Sequence, residues 1–236
     1  MPSRYNIIHA LALTIVMCAA VSKNFWHNFI HGGFTQPPQV PVLLFALGCQ
    51  VGLTLLLLLF LWASTLFRAR DEVSAEIPRT PPLKAIKFGA VAFAPICLMA
   101  FGLQWIGTTL LDKVLNLPVH GQDLIEWLKP ETYPLSVRLV LIFIAVIEAP
   151  LLEEALFRGV LFRGLTKAMP VFLAMAISGL VFALIHVNAA TLVPLWYLGV
   201  AFAWLYWRTK SILAPMTAHL LFNLTNLMLV LSGLVS

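Results

Sequence analysis

The sequence predicts an all-α membrane protein, a polytopic bundle of about seven transmembrane helices. Of the 236 residues, 61% are apolar and only 11% are charged, whereas about 25% of the residues in a typical soluble domain are charged. A soluble fold of this length could not bury so much apolar surface, which excludes a water-soluble enzyme, a disordered chain and a small disulfide-stapled domain. The apolar residues also fall in runs close to the roughly 20 residues that a spanning helix needs.

These apolar runs define the candidate spans in chain order. They lie at approximately 6–22, 41–66, 88–111, 136–161, 171–189, 191–207 and 211–234. The first run follows Arg4 and ends in small residues. It is interpreted as an uncleaved helix, although the pattern is also typical of a signal peptide, whose cleavage would leave six spans. Residues 1–135 carry no specific motif, so the function is assigned to residues 136–236 within one integrated membrane domain.

The basic residues predict the orientation of the spans. With the N-terminus in the cytoplasm and the spans alternating, eleven of the 15 Lys and Arg residues fall on the cytoplasmic side. The other four are Lys23, Lys113, Lys129 and Arg138. Because cytoplasmic loops are enriched in Lys and Arg, the net charge of +5 is interpreted as a topology signal rather than as a nucleic-acid site.

Ionisable residues inside the apolar runs are the most informative. The segment from Glu148 to Arg158 also contains Glu153 and Glu154, although each charge near the bilayer centre costs roughly 2.5–3.5 kcal/mol on insertion scales. Four residues apart on a helix, Glu154 and Arg158 share a face and can pair, whereas Glu153 lies about 140° away from Arg158. Glu153 is then either a free carboxylate suited to general-base chemistry or a second structural ion-pair member.

Two histidines on other helices favour the functional alternative. Phe182 precedes His186 by four residues in the fifth span, and His219 precedes Asn223 by four residues in the seventh. Residues four apart share a helix face. One histidine in a membrane helix is readily explained as a hydrogen-bonded core residue. Two of them, in a chain that also buries glutamates and an arginine, favour a common polar site.

The order of these motifs resembles that of a known family. Three motifs follow one another in the C-terminal half of the chain: Glu153-Glu154-x-x-x-Arg158, Phe182-x-x-x-His186 and His219-x-x-x-Asn223. The same order is found in the CAAX-protease and bacteriocin-processing family, also called the abortive-infection family. These intramembrane glutamic endopeptidases include the type II CAAX prenyl proteases. The resemblance covers roughly residues 140–226.

The resemblance implies proteolysis without a cofactor. It implies that Glu153 activates a water molecule with the assistance of His186, and that His219 and Asn223 stabilise the oxyanion of the tetrahedral intermediate. The remaining motif residues, which are implied to support the site, are Glu154, Arg158 and Phe182. A bacterial cytoplasmic membrane is the expected location. The expected partners are the lipid bilayer and a membrane-associated protein or peptide substrate, with no nucleic acid; the sequence specifies neither the substrate nor an oligomeric state.

Three alternatives remain open at this point. Glu153, His186 and His219 could supply the two-histidine, one-carboxylate set of a zinc protease, although no HExxH pair is present on one helix. Buried ionisable residues also form proton relays in transporters. A non-catalytic scaffold is the third alternative, but interhelical hydrogen bonds, at about 0.6 kcal/mol on average, offset little of the cost of burying these charges.

One conflict follows from the predicted spans. Glu153 lies in the cytoplasmic half of its helix, whereas His186 lies toward the opposite end of the span at 171–189. The two side chains can meet only if that helix begins later than residue 171 or is tilted.

Overall fold

The computed structural model describes residues 80–114, 127–128, 131–186 and 188–233, together with scattered positions between 40 and 59. All regular structure in these residues is helical, which confirms the predicted all-α class for this part of the chain. The main helices are α1 (Pro82–Thr109), α2 (Leu135–Leu165), α3 (Val171–Leu184), α4 (Leu192–Thr209) and α5 (Leu213–Leu231). A short 3₁₀ turn, Ala189–Thr191, precedes α4.

Three of the described helices are long and apolar enough to cross a membrane, namely Pro82–Lys113, Leu135–Leu165 and Leu213–Leu231. The predicted segment 6–22 lies outside the described residues, and so does 41–66 apart from scattered positions. The total of about seven spans therefore remains a prediction.

Helix α3 is shorter than the predicted span at 171–189. It contains 14 residues and ends at Leu184, because the chain turns at Asn188. The side chain of Asn188 accepts a hydrogen bond from the N–H of Ala190 at 2.9 Å, a local contact that favours turns over helix. At about 1.5 Å per residue, α3 rises only about 21 Å, so its end does not have to reach the opposite membrane surface. Because α3 begins at Val171, as predicted, its early end leaves the position of His186 along the chain from that start unchanged.

Helix α2 contains two wider π-helical segments, Ile144–Glu148 and Ala155–Phe162. The first directly precedes Pro150, which has no N–H group and whose ring clashes with the carbonyl of residue i−4 in a regular α-helix. Such π segments are rare and frequently occur at functional sites. In α2 they flank the α-helical segment Ala149–Glu154, which carries both motif glutamates.

Close backbone contacts join the helices around the polar residues. A Cβ atom built on Gly199 of α4 would lie 2.6 Å from the Cα atom and 3.0 Å from the carbonyl oxygen of Gly179 in α3. A Cβ atom on Gly89 of α1 would overlap the carbonyl oxygen of Ala214 in α5. Small residues that allow such an approach are typical of membrane helix interfaces. Glycine is therefore required at both crossings.

We expect Gly199→Ala to destabilise the protein by about 1–3 kcal/mol, the usual cost of overpacking. The new methyl group would meet backbone atoms of Gly179, which cannot rotate away, so α3 and α4 would have to separate. Gly102→Ala is the matched control, because a Cβ atom there meets no atom within 4 Å. Thermal unfolding in detergent measures the difference. Equal melting temperatures for the two variants would contradict the close packing of α3 on α4.

Candidate active site

A buried ion pair lies at the centre of α2. Nη1 of Arg158 donates a hydrogen bond to Oε1 of Glu154 at 3.0 Å, and both side chains are fully buried. The contact predicted from the four-residue spacing is therefore present. Nη2 of Arg158 donates to the carbonyl oxygen of Gly199 at 3.0 Å, at the place where α4 crosses α3. The arginine thus links α2 to the glycine crossing and positions Glu154 relative to both neighbouring helices.

Three aromatic rings surround the guanidinium group of Arg158. Its Cζ atom lies 5.8 Å from the ring centroid of Phe157, 5.0 Å from that of Phe182 and 5.3 Å from that of Phe202. Cation–π attraction is stronger when the cation is removed from water. The rings therefore stabilise a charge that has no access to solvent.

The imidazole of His219, on α5, lies against both motif glutamates. Its Nδ1 atom is 2.9 Å from Oε1 of Glu154, and its Nε2 atom is 3.7 Å from Oε2 of Glu153. Spacing within α2 predicts no pairing of Glu153 with Arg158, and the structure places this histidine beside Glu153 instead. The imidazole also stacks on Phe202 at 4.9 Å and meets Phe182 edge-on at 5.9 Å. The two glutamates and the two aromatic rings therefore fix the position of the His219 imidazole.

The two glutamates differ in accessibility. The Glu154 side chain is fully buried, whereas that of Glu153 is 22% exposed. Among the described residues, the Oε2 atoms of both carboxylates are buried without a hydrogen-bond partner. An acceptor of this kind in a native structure calls for a water molecule, an ion or a catalytic role. Since part of its side chain remains accessible, Glu153 is the carboxylate better placed to meet a substrate or a water molecule.

His186 follows the end of α3 and joins the site through Phe182. The two rings are 4.9 Å apart, and Nδ1 of His186 lies 2.8 Å from the carbonyl oxygen of Phe182. A carbonyl oxygen can only accept, so Nδ1 carries the proton and donates it, and Nε2 of the neutral ring has a free lone pair. The imidazole of His186 is exposed. Phe182 thus contacts both histidines of the motifs.

Asn223 lies one turn beyond His219 on α5 and binds α2. Its Nδ2 atom donates to the carbonyl oxygen of Ala145 at 2.8 Å, within the first π segment. An amide NH₂ group has two donors, so one N–H of Asn223 is used in this contact and a second remains. Glu148, in the same π segment, is buried and accepts a hydrogen bond from the hydroxyl of Thr54, and it lies outside the motif cluster.

Sequence reasoning missed several parts of this arrangement. Phe157 and Phe202 were not predicted to belong to the site, because an aromatic residue in an apolar run has no distinguishing signal. The contact between His219 and Glu154 joins α5 to α2, and spacing within one helix does not predict contacts between helices. Gly199 did have a usable signal, since a glycine in an apolar helix often marks a close crossing.

The zinc alternative needs Glu153, His186 and His219 to converge on one ion. Of these side chains, those of Glu153 and His219 approach each other to 3.7 Å. Within the part of the chain that the structure describes, no group of three or more His, Cys, Asp or Glu side chains is arranged to hold a metal ion.

Comparison with known proteins places this chain among membrane CAAX proteases. A family model described as type II CAAX prenyl endopeptidase Rce1-like matches residues 135–225. MroQ of Staphylococcus aureus (strain USA300), named a membrane-embedded CAAX protease, is 30% identical over 183 residues, which cover 71% of this chain and 69% of MroQ. YdiL of Bacillus subtilis (strain 168), named as a candidate membrane peptidase, is 37% identical over 84 residues, which cover 36% of this chain and 34% of YdiL. No solved structure matches the chain significantly.

The chain spans about a third of the length of YdiL and about two thirds of that of MroQ. The segment that matches the family model contains all of the predicted motif residues, from Glu153 to Asn223. The family predicted from the motifs is thereby confirmed: this chain is a membrane protein that belongs to the Rce1-like family of CAAX proteases.

Proposed function

We propose that the chain is an intramembrane endopeptidase that hydrolyses a peptide bond of a membrane-associated protein or peptide through a water molecule activated by Glu153. The observation that carries the proposal is the position of His219 between Glu153 and Glu154, in a buried site on α2, α3 and α5. The names of MroQ and YdiL, a protease and a candidate peptidase, support hydrolysis over proton transport.

Glu153 acts as the general base in this mechanism. Its carboxylate takes a proton from water while the resulting hydroxide attacks the carbonyl carbon of the substrate. When the C–N bond of the tetrahedral intermediate breaks, the same proton passes to the leaving amine nitrogen. The partly accessible side chain of Glu153 suits this role better than the enclosed Glu154.

His186 positions the attacking water. Because its Nδ1–H group donates to the carbonyl oxygen of Phe182, its Nε2 atom can accept a hydrogen bond from water. That contact holds one O–H bond of the water while Glu153 removes the proton of the other. Phe182 supports the arrangement by packing against both histidine rings.

His219 and Asn223 stabilise the oxyanion. Nδ1–H of His219 donates to Glu154, which orients the ring, as a carboxylate does in other catalytic triads. The ring donates to the substrate oxygen as well when Nε2 carries a second proton. The unused N–H of Asn223 supplies the other donor. Donors fixed in advance in a water-poor site typically contribute 10²–10³-fold each.

The test compares protein termini in membranes from cells that express the wild type, His186→Ala or His219→Ala at matched abundance. We expect a small set of polypeptides to stay uncut in both variants, since each loses a group that the hydrolysis needs. His120→Ala is the matched control, because that histidine belongs to no motif. Intact proteolysis in both site variants would contradict the proposal. Stoichiometric zinc that chelation removes from the purified wild type together with its activity would favour the metal-dependent alternative instead.

A further inference from the structure

A cavity that shares no residue with the candidate active site lies between the start of α1 and the end of α4. Its volume is about 260 Å³, and it is lined by Thr80, Lys84, Phe88, Arg208 and Thr209. The N–H of Thr80 donates to the carbonyl oxygen of Thr209 at 3.0 Å, which closes one wall of the cavity. The cavity is therefore formed by the start of α1 and the end of α4, which a backbone hydrogen bond joins.

The lining of this cavity favours an anion. Lys84 and Arg208 are both exposed, and no carboxylate belongs to the lining. In the described part of the chain, neither cation has an acidic side chain within salt-bridge distance. The hydroxyl of Thr209 is already bonded to the carbonyl oxygens of Leu205 and Ser211, so the cations supply the strongest donors. Lys and Arg together are typical ligands of a phosphate group.

Aromatic residues indicate that the cavity lies at the depth of the lipid headgroups. The ring of Phe88 contacts the partly exposed Trp204, with centroids 5.9 Å apart. Nearby on α4, Nζ of Lys210 lies 5.6 Å from the ring of Trp207. Tryptophan beside lysine at the end of an apolar helix marks the interface between hydrocarbon and water. The span Pro82–Lys113 also begins at this level.

We propose that this cavity binds the phosphate group of an anionic phospholipid from the surrounding bilayer. Lys84 and Arg208 contact the phosphate oxygens, and Phe88 packs against the glycerol and the first carbons of the acyl chains. The lining has two cations and no carboxylate, so it favours a lipid with a net negative charge. The ammonium group of a zwitterionic lipid would be repelled by the same cations. This lipid site is independent of the proposed proteolytic activity.

The test measures lipid binding by the full-length protein in detergent. Dioctanoyl phosphatidylglycerol and dioctanoyl phosphatidylcholine are titrated, and both the shift in melting temperature and the bound lipid in native mass spectra are recorded. We expect phosphatidylglycerol to bind and to raise the melting temperature more than phosphatidylcholine does. Lys84→Gln/Arg208→Gln is expected to weaken phosphatidylglycerol binding at least tenfold. Each single substitution is expected to weaken phosphatidylglycerol binding less than the double substitution does. The single variants can therefore still be measured if the double variant does not fold.

The control is Lys87→Gln/Lys113→Gln, which removes the same charge from exposed positions in the span Pro82–Lys113 outside the cavity. It should bind phosphatidylglycerol like the wild type. An equal loss in this control would show that net charge, not the cavity, attracts the lipid, and would overturn the proposal. Equal binding of phosphatidylcholine would also overturn it. Inorganic phosphate is titrated in parallel, and displacement of the lipid at matched concentrations would reassign the cavity to a soluble phosphate.

Discussion

Glu153→Gln is expected to slow cleavage by about 10²–10⁴-fold, the range that a general base contributes. Glutamine has the same shape but cannot take a proton from water. The substitution leaves the contacts of Glu154 with Arg158 and His219 in place, because Glu153 approaches His219 only to 3.7 Å. The rate is measured in proteoliposomes, on a polypeptide that the comparison of termini identifies as a substrate. The melting temperature should stay close to that of the wild type.

The matched control for this variant is Glu131→Gln. Glu131 is exposed and precedes α2, so the substitution removes the same charge away from the candidate site. Its cleavage rate should equal that of the wild type. A folded Glu153→Gln protein that cleaves at the wild-type rate would exclude Glu153 as the base. Loss of a proton flux in that variant, with no polypeptide left uncut, would support the relay alternative.

Arg158→Met is expected to have the largest effect on stability, a loss of about 3–5 kcal/mol, because it breaks a buried ion pair from one side. Glu154 would lose the donor at 3.0 Å, and the carbonyl oxygen of Gly199 would lose its hydrogen bond. Methionine fills much of the same space between the three aromatic rings. The melting temperature in detergent measures the loss, and cleavage should be lost with it.

A double variant separates the charge from the packing. In Glu154→Leu/Arg158→Met both charges are replaced by apolar groups, an exchange that is often neutral or stabilising in buried pairs. We expect the melting temperature to recover, while cleavage stays lost because His219 no longer has the acceptor for Nδ1. An unchanged melting temperature in the single Arg158→Met variant would contradict the buried-pair explanation. Wild-type cleavage by the double variant would contradict the orienting role of Glu154.

The sequence was sufficient to predict contacts within a single helix. The pairing of Glu154 with Arg158 follows from their spacing, and it persists even though Arg158 lies in a π segment. The apolar runs likewise predicted α2, α4 and α5 to within four residues, because length and hydropathy largely determine a membrane helix. Helix α1 begins six residues before the predicted start at residue 88. The end of α3 was predicted too late, because the apolar run continues past it and the hydrogen bond of Asn188 cannot be recognised from hydropathy.

Contacts between helices required the structure. The position of His219 between two glutamates depends on how α5 is rotated and how deep it lies beside α2, and both follow from packing. The crossing at Gly89 and Ala214 and the bond from Asn223 to Ala145 hold α5 in place. The rings around Arg158 come from three helices, and no pattern within one helix distinguishes them from ordinary apolar residues.

The length of α3 has a consequence for the supply of water to the reaction. A helix of 14 residues is about 9 Å shorter than a hydrocarbon layer of about 30 Å. Lipids next to a short helix accommodate the mismatch by thinning the layer locally. His186 lies two residues beyond the end of this helix, so such thinning would leave water from that side less hydrocarbon to cross before it reaches the proposed site of attack. Thicker bilayers, made from lipids with longer acyl chains, are therefore expected to slow hydrolysis, because less water would reach the site.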